Sequence, residues 1–198
     1  MTQPELFATP SEMPGGFVYR ANFVSAAEEE RLGAAVQQLA FEEIRMHGVV
    51  AKRRTVQFGH RYGFENFKLS EAPPIPDFLL PLRERVSAFA GCAPERLEEV
   101  LVTEYPAGAQ IGWHRDAPPF DVIVGVSLLG EGTMKFRPWP VVSITSRAEK
   151  RSKPPSQVLA PRSIYILQDA ARTTWQHHIP ATKTLRYSIT FRTLRQKP

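Results

Sequence analysis

Apolar residues recur at helical spacing in the first half of the chain and in short strand-like runs in the second. Ser25-Ala26-Ala27-Glu28 sets a hydroxyl and a carboxylate three residues apart, the spacing of a capping box. Leu32, Val36 and Leu39 then share one stripe, which predicts a helix over about 26–40. A second helix is predicted after Asp77, with Phe78, Leu82, Val86 and Phe89 at helical spacing and Gly91 closing it. Pro81 falls in its first turn, where a missing amide proton costs little. From Val100 onward, β-branched and aromatic runs alternate with Gly and Pro: Val100–Tyr105, Val122–Leu129, Thr133–Arg137, Val141–Thr145, Ser163–Leu167, Thr173–His177 and Arg186–Thr193. Strands this short and numerous predict an antiparallel sandwich or barrel. Residues 1–16, with three prolines and two glycines, read as a flexible lead-in. The expected organisation is one mainly β domain over 17–195, with a helical flank over 17–99 and a β-core over 100–195.

Composition narrows the class. The chain has 198 residues, 42% hydrophobic and 23% charged, which excludes a disordered chain and a coiled coil. Lys and Arg number 25 against 20 Asp and Glu, so the net charge is +5, which permits a polyanionic partner without requiring one. Cys92 stands alone, which excludes an internal disulfide and a multi-cysteine zinc site and fits a reducing compartment. Met1 to Phe7 lack the features of a secretory signal, and the nearly apolar run Val122–Leu129 is too short to span a bilayer, so the expected location is the cytoplasm.

The chemistry gathers around Ile111-Gly112-Trp113-His114-Arg115-Asp116. On a strand, residues i and i+2 share a face, so His114 and Asp116 would project together. With one distant histidine they would form the facial triad that binds ferrous iron and leaves positions open. Alone, the tripeptide reads better as a surface turn. Farther on, His177 and His178 end a strand-like segment, and Arg186, Ser188, Thr190 and Arg192 alternate with Tyr187, Ile189 and Phe191. Two arginines on the polar face of a half-buried strand need partners, either a dicarboxylate ligand or Asp and Glu of the protein.

The order HxD, several strands, His, then Arg on a last strand resembles the Fe(II)- and 2-oxoglutarate-dependent dioxygenases, and within them the AlkB family of nucleic-acid demethylases. The segments that carry it are Tyr105 to Asp116, Val126-Ser127-Leu128, Trp175 to Pro180 and Arg186-Tyr187-Ser188-Ile189-Thr190-Phe191-Arg192. The resemblance implies a double-stranded β-helix, or jelly-roll, with Fe(II) in its mouth and 2-oxoglutarate as co-substrate. It implies His114, Asp116 and His177 as metal ligands, with His178 the competitor that strand alternation turns away. Arg186 would clamp the distal carboxylate of 2-oxoglutarate beside the hydroxyl of Tyr105, and Arg192 would lie near the keto-acid end. Thr103 and Ser188 stand where the bacterial prototype has asparagines, and both keep hydrogen-bonding capacity.

The same likeness makes Lys52 to Phe64 a nucleotide-recognition lid, in which Lys52, Arg53, Arg54, His60 and Tyr62 combine cations for phosphates with aromatics for stacking. Read from its residues alone, the stretch is equally a basic edge strand with Phe58 and Phe64 in the core. Pro118 stands where the prototype has a carboxylate that meets the cationic base, so either Asp121 compensates or this branch accepts a different modification; Arg115 is a further candidate on the substrate side. Trp113 and Trp175 are expected in the core. The implied activity is oxidative demethylation of N-alkylated bases in DNA or RNA, releasing formaldehyde and succinate. The alternative is an oxygenase of the same fold acting on a protein or small molecule. Finally, Gln3, Leu6 and Phe7 have the spacing of a sliding-clamp docking peptide, although Leu6 and Phe7 packing on the protein's own surface is the simpler reading. Deleting residues 1–8 and finding clamp affinity unchanged would dispose of the peptide.

Overall fold

The computed structural model describes residues 12–46, 49–63, 68–140 and 153–196. In chain order these give β1 (Phe17–Arg20), α1 (Ala26–Gln37), β2 (Glu42–Met46), β3 (Val49–Phe58), β4 (His60–Gly63), β5 (Lys68–Glu71) and α2 (Leu80–Ala90). There follow β6 (Leu97–Tyr105), β7 (Ile111–His114), β8 (Phe120–Leu128), β9 (Gly132–Pro138), β10 (Ser156–Leu159), β11 (Ile164–Leu167), α3 (Asp169–Thr173), β12 (Trp175–Ile179) and β13 (Arg186–Leu194). The expected Val141–Thr145 strand, Phe64, and Gln3, Leu6 and Phe7 lie outside the described residues. No helix among the described residues is long and apolar enough to cross a membrane.

Both expected helices form. Ser25 caps α1, its hydroxyl accepting the Glu28 N–H at 3.2 Å. The helix stops at Gln37, short of the predicted end, because the Gln38 and Leu39 amides bond three residues back and tighten the chain into a turn. A 3-10 turn over Asp77–Leu79 leads into α2, and Gly91, at φ +69°, ends it in the left-handed conformation that glycine tolerates.

The seven-stranded sheet has the order β1-β11-β8-β13-β6-β3-β2, and a four-stranded sheet has the order β10-β9-β12-β7. Residues 17–99, expected as a helical flank, also supply β1, β2 and β3 to the large sheet and the separate β4–β5 pair. Nor is β3 an edge strand, since it lies between β6 and β2. Its Val56 and Phe58 align with Val102 and Val100 of β6, and this apolar alternation was hidden in the sequence by the Lys52-Arg53-Arg54 run. The expected Thr173–His177 strand starts at Trp175, because Thr173 ends α3.

The large sheet has two unlike faces. Val100, Val102, Val124, Val126, Leu128, Ile164, Tyr187, Ile189 and Phe191 pack against Leu32 and Val36 of α1 and Leu82 and Val86 of α2. The helices therefore cover one face and leave the other to look toward the small sheet. There a second cluster, which includes Ile123, Met134, Phe136, Leu159, Leu167 and Ile179, closes one end of the space between the sheets. Strand β13, expected to be half-buried, is buried on both faces from Arg186 to Thr193.

Gly59, at φ +74°, turns the chain from β3 into β4, and a Cβ there would meet the Glu98 carbonyl oxygen at 2.1 Å. Gly59→Ala should therefore destabilise the fold by about 2–4 kcal/mol, read as a lowered Tm in thermal denaturation.

Candidate active site

The polar face of β13 and the strands beside it line a cavity of about 690 Å³ between the sheets. Register decides what faces what. Arg186, Ser188 and Arg192 align with Tyr105, Thr103 and Glu99 on β6, and Ser188 aligns with Ser127 on β8. On the small sheet, His177 of β12 aligns with His114 of β7. Their rings meet edge to face at 4.2 Å between centroids.

His114, Asp116 and His177 each offer a ligand atom, and these atoms lie within 4.8 Å of one another. The expected reason for their meeting holds only in part. Strand β7 ends at His114, so Asp116 comes from the loop beyond it and not from strand alternation. Two arginines hold that loop. Arg192 Nη2 donates to Asp116 Oδ1 at 3.0 Å. The buried Arg172 donates to the carbonyls of Ala117 and Phe120 at 2.6 and 2.8 Å. His114 Nδ1 donates to the Gly112 carbonyl at 2.8 Å, which leaves Nε2 as the ligand atom.

Electrostatics suit a cation. Burial alone would raise the Asp116 carboxyl, but Arg192, then the two imidazoles and Arg172, hold it well below the usual carboxylate range. Burial, reinforced by His114, pushes His177 down to about 3, so it presents a neutral lone pair. Burial lowers His114 as well. Asp116 Oδ2 is buried without a hydrogen-bond partner, 3.5 Å from His177 Nε2. A neutral imidazole pair and an unsatisfied carboxylate oxygen converging in a buried space fit a divalent metal.

The second fit is at Arg186. It is fully buried, donates one bond, Nη2 to Ser127 Oγ at 2.8 Å, and leaves Nε and Nη1 unpartnered. Its guanidinium lies over the Tyr105 ring at 5.1 Å. No carboxylate of the described residues reaches it, so the expected dicarboxylate remains the natural partner. Arg192 differs. Its Nη1 donates to both oxygens of the buried Glu99, at 3.0 and 3.2 Å, while Nη2 holds Asp116. Of the two partners foreseen for these arginines, Arg192 thus takes protein carboxylates. Burial pushes the Glu99 carboxyl up to about 7, with Arg192 pulling the other way.

Thr103, Tyr105 and Ser188 line the cavity, as do Arg53, Tyr62 and Arg115. Lys52, Arg54, His60 and Asp121 do not line it. Arg54 points to the opposite face of β3 and pairs with Glu104 at 2.8 Å. His60 Nδ1 is held at the Glu98 carbonyl, 3.2 Å away. Lys52 is exposed beside the Gly108 turn. Asp121 is exposed and faces Arg195 at 3.9 Å, so it does not replace the carboxylate missing at Pro118. The carboxylates that do line the cavity are Asp116 and, on β2, Glu42 and Glu43. His178 turns outward against Trp113, which also leaves the core expected for it; Trp175 does pack on the second cluster. Sequence reasoning missed Glu99, Ser127, Tyr165 and Arg172. Glu99 had a signal: it shares a face of β6 with Thr103 and Tyr105 by two-residue alternation.

The chain matches the family described as the 2OG-Fe(II) oxygenase superfamily over residues 19–192, and it belongs to that family. Within it the chain is an AlkB homologue. It is 32% identical over 215 residues to the Alkylated DNA repair protein ALKBH8 homolog of Arabidopsis thaliana, with 94% of this chain and 60% of that protein covered. It thus spans well under two thirds of that relative. It is 30% identical over 171 residues to the Probable RNA/DNA demethylase ALKBH6 of Danio rerio, covering 85% of this chain and 70% of that protein. The solved structure of OsALKBH1 superimposes with a TM-score of 0.64 at 15% identity over 96% of this chain and all of that one, a likeness of fold. The protein is therefore an iron(II) and 2-oxoglutarate oxygenase of jelly-roll fold with an HxD and His metal triad.

His177→Ala should lower divalent-metal affinity at least about 100-fold in titration calorimetry with Co(II), with the circular dichroism unchanged. His178→Ala should leave that affinity within about threefold of the wild type, because its ring faces away from the triad.

Proposed function

We propose that this chain oxidatively removes N-alkyl groups from bases of DNA or RNA. The observation that carries the reading is the cavity itself. It has a metal triad at its centre, lies beside a buried arginine lacking a carboxylate, and is lined toward its mouth by Arg53, Tyr62 and Arg115. Relatives named for alkylated-DNA repair and RNA/DNA demethylation support the choice of substrate.

His114, Asp116 and His177 would hold the metal. Arg186 would pair with the distal carboxylate of 2-oxoglutarate through its two unpartnered nitrogens, with Tyr105 beside it. Thr103 and Ser188 line the same cavity and would offer hydroxyls to the co-substrate. Arg192 acts through Asp116, whose Oδ1 it occupies, which leaves Oδ2 for a metal. Iron with 2-oxoglutarate and O2 would supply, when bound, the oxidising power to hydroxylate an inert N-methyl carbon, the co-substrate leaving as succinate and CO2 and the hydroxymethyl group as formaldehyde. Tyr62, buried at the mouth beside Ala117 and Phe120, presents a ring to an extruded base, while Arg53 and Arg115 stand near its phosphates.

One observation favours the second reading, an oxygenase of a protein or small molecule. Pro118 stands where the prototype sets a carboxylate for a cationic base, and Asp121 faces Arg195 outside the cavity and does not replace it.

Mass spectrometry of N-methylated oligonucleotides incubated with the protein, Fe(II), 2-oxoglutarate and oxygen decides between them. Iron-dependent loss of one CH2 mass per methylated base is expected. Succinate release from 2-oxoglutarate with every oligonucleotide intact would overturn the nucleic-acid reading and leave the second. Arg186→Gln should raise the KM for 2-oxoglutarate by about 10–100-fold, because it leaves a carboxylate unpaired in a buried site.

A further inference from the structure

The small sheet has a second face. Strand alternation that turns His114, Phe136 and His177 inward turns Trp113, Lys135, Arg137 and His178 outward, across β7, β9 and β12. Arg115 and Trp139 extend the same patch from the ends of β7 and β9. The Arg137 guanidinium lies 4.6 Å from the Trp113 ring centre, and that of Arg115 lies 5.2 Å from Trp139. His178 packs against the other side of this group, 5.0 Å from Trp113. None of the four strands of this sheet contains an Asp or Glu. The basic side chains of the patch donate, where they are bonded, to a carbonyl or an amide: Arg115 to the Thr173 carbonyl and Arg137 to Gln176 Oε1. Elsewhere Arg54, Arg61 and Arg85 pair with Glu104, Glu42 and Glu28, whereas Arg53, Arg83 and Arg96 donate to backbone carbonyls.

Guanidinium groups over indoles, with no carboxylate of the described residues among them, match a chain of phosphates with stacking bases. The patch also touches the mouth of the cavity, since β7 is the edge strand of the sheet and its Trp113 and Arg115 contribute to the cavity lining. Three strands at about 4.8 Å spacing span roughly two or three nucleotides. We propose that this outer face is a binding track for single-stranded nucleic acid, holding the nucleotides that flank the one inserted in the cavity. This rests on the nucleic-acid reading above and adds to it a surface distinct from the β3–β4 segment.

Two probes separate the track from the cavity: unmethylated oligo(dT), which needs only the track, and a methylated mononucleotide, which needs only the cavity. The Lys135→Gln/Arg137→Gln variant should bind oligo(dT) about tenfold more weakly, with a salt slope shallower by about one to two. Its turnover of the mononucleotide should be unchanged, which also shows that it is folded. Trp139→Phe, at the exposed rim, should remove part of the fluorescence quenching that oligo(dT) causes. Unchanged affinity and slope in the double variant would overturn the track while leaving demethylation standing. Polyglutamate binding more tightly than oligo(dT) would overturn it in favour of an acidic polypeptide. Loss of oligo(dT) binding in the double variant, with neither the mononucleotide nor a methylated oligonucleotide demethylated by the wild type, would uphold the track and sink the proposed reaction.

A second inference has its own basis. Arg192 lies in a buried space between two carboxylates, Glu99 on one nitrogen and Asp116 on the other, with Arg172 and Arg186 buried nearby. A divalent cation and a dianionic co-substrate, entering together, add no net charge. We infer that Glu99 is a positioning residue that holds Arg192 and cancels its charge so that a metal can bind beside it. Glu99→Gln keeps an acceptor for Arg192 but adds one positive charge to the site. Co(II) affinity should then fall about tenfold or more, while 2-oxoglutarate, titrated at saturating Co(II), binds at least as tightly as in the wild type. Glu99→Asp, which keeps the charge, should restore most of the metal affinity. Weakening of both ligands in Glu99→Gln, or of neither, would overturn the assignment.

Discussion

One guanidinium joins the two sheets across the cavity. Arg192 belongs to β13 in the large sheet, and Asp116 belongs to the loop leaving β7 in the small one. The bond between them at 3.0 Å fixes a loop carboxylate whose backbone no strand register controls. Glu99 fixes Arg192 in turn, from both of its oxygens, so the carboxylate that meets the metal is placed by a chain of two rigid, charge-assisted contacts. Without them, the ligand set would be two histidines aligned by strand pairing and an aspartate free to turn to solvent. The buried ion pairs are costly as contributions to stability. What they supply is geometry at a site where a fraction of an ångström matters.

That geometry is affordable because β13 faces two different environments. Tyr187, Ile189 and Phe191 are buried against the helices, and this apolar face holds the strand in the middle of the large sheet. The opposite face is then free to carry Arg186, Ser188, Thr190 and Arg192 in a row, each buried and each opposite a residue of known register on β6. Hydrophobic burial on one side thus sustains unfavourable desolvation on the other. The difference between the two arginines follows from their neighbours. Glu99 lies opposite Arg192, whereas Tyr105 lies opposite Arg186, so Arg186 keeps two donors for a ligand, Nε and Nη1, and Arg192 keeps only Nε.

Much of this was legible from residue order. The RYSITFR alternation and the HxD motif carry Ser188, Thr190, Arg192, His114 and Asp116 of the cavity lining, and the choice of His177 over His178 needs only strand geometry. What the chain did not disclose has definite causes. Strand β3 was obscured because Lys52, Arg53 and Arg54 interrupt its apolar rhythm, and its pairing with β6 depends on residues about fifty positions away. Asp121 read as a substitute for the missing carboxylate on nearness in sequence alone, but it starts a strand on which its side chain faces Arg195 and solvent. Glu99 and Arg172 escaped notice because a single charged residue in a strand or a short helix has no local signature. Their meaning arises from what the register sets opposite them.

The small sheet applies the same alternation to a different end. Each inward ligand on β7 and β12 has an outward neighbour: His114 has Trp113 before it and Arg115 after it, and His177 has His178. The rings of Trp113 and His178, in contact across the two strands, brace on the outside the same pair of strands whose histidines meet on the inside. A load on the outer face therefore acts on the backbone that carries two of the three metal ligands. Because β7 is an edge strand with only β12 beside it, that backbone has fewer restraints than any strand of β13's surroundings. The ligand set is thus most rigid where Arg192 grips it and most open to outside influence along β7, the strand that forms both the lip of the cavity and the edge of the basic, aromatic face.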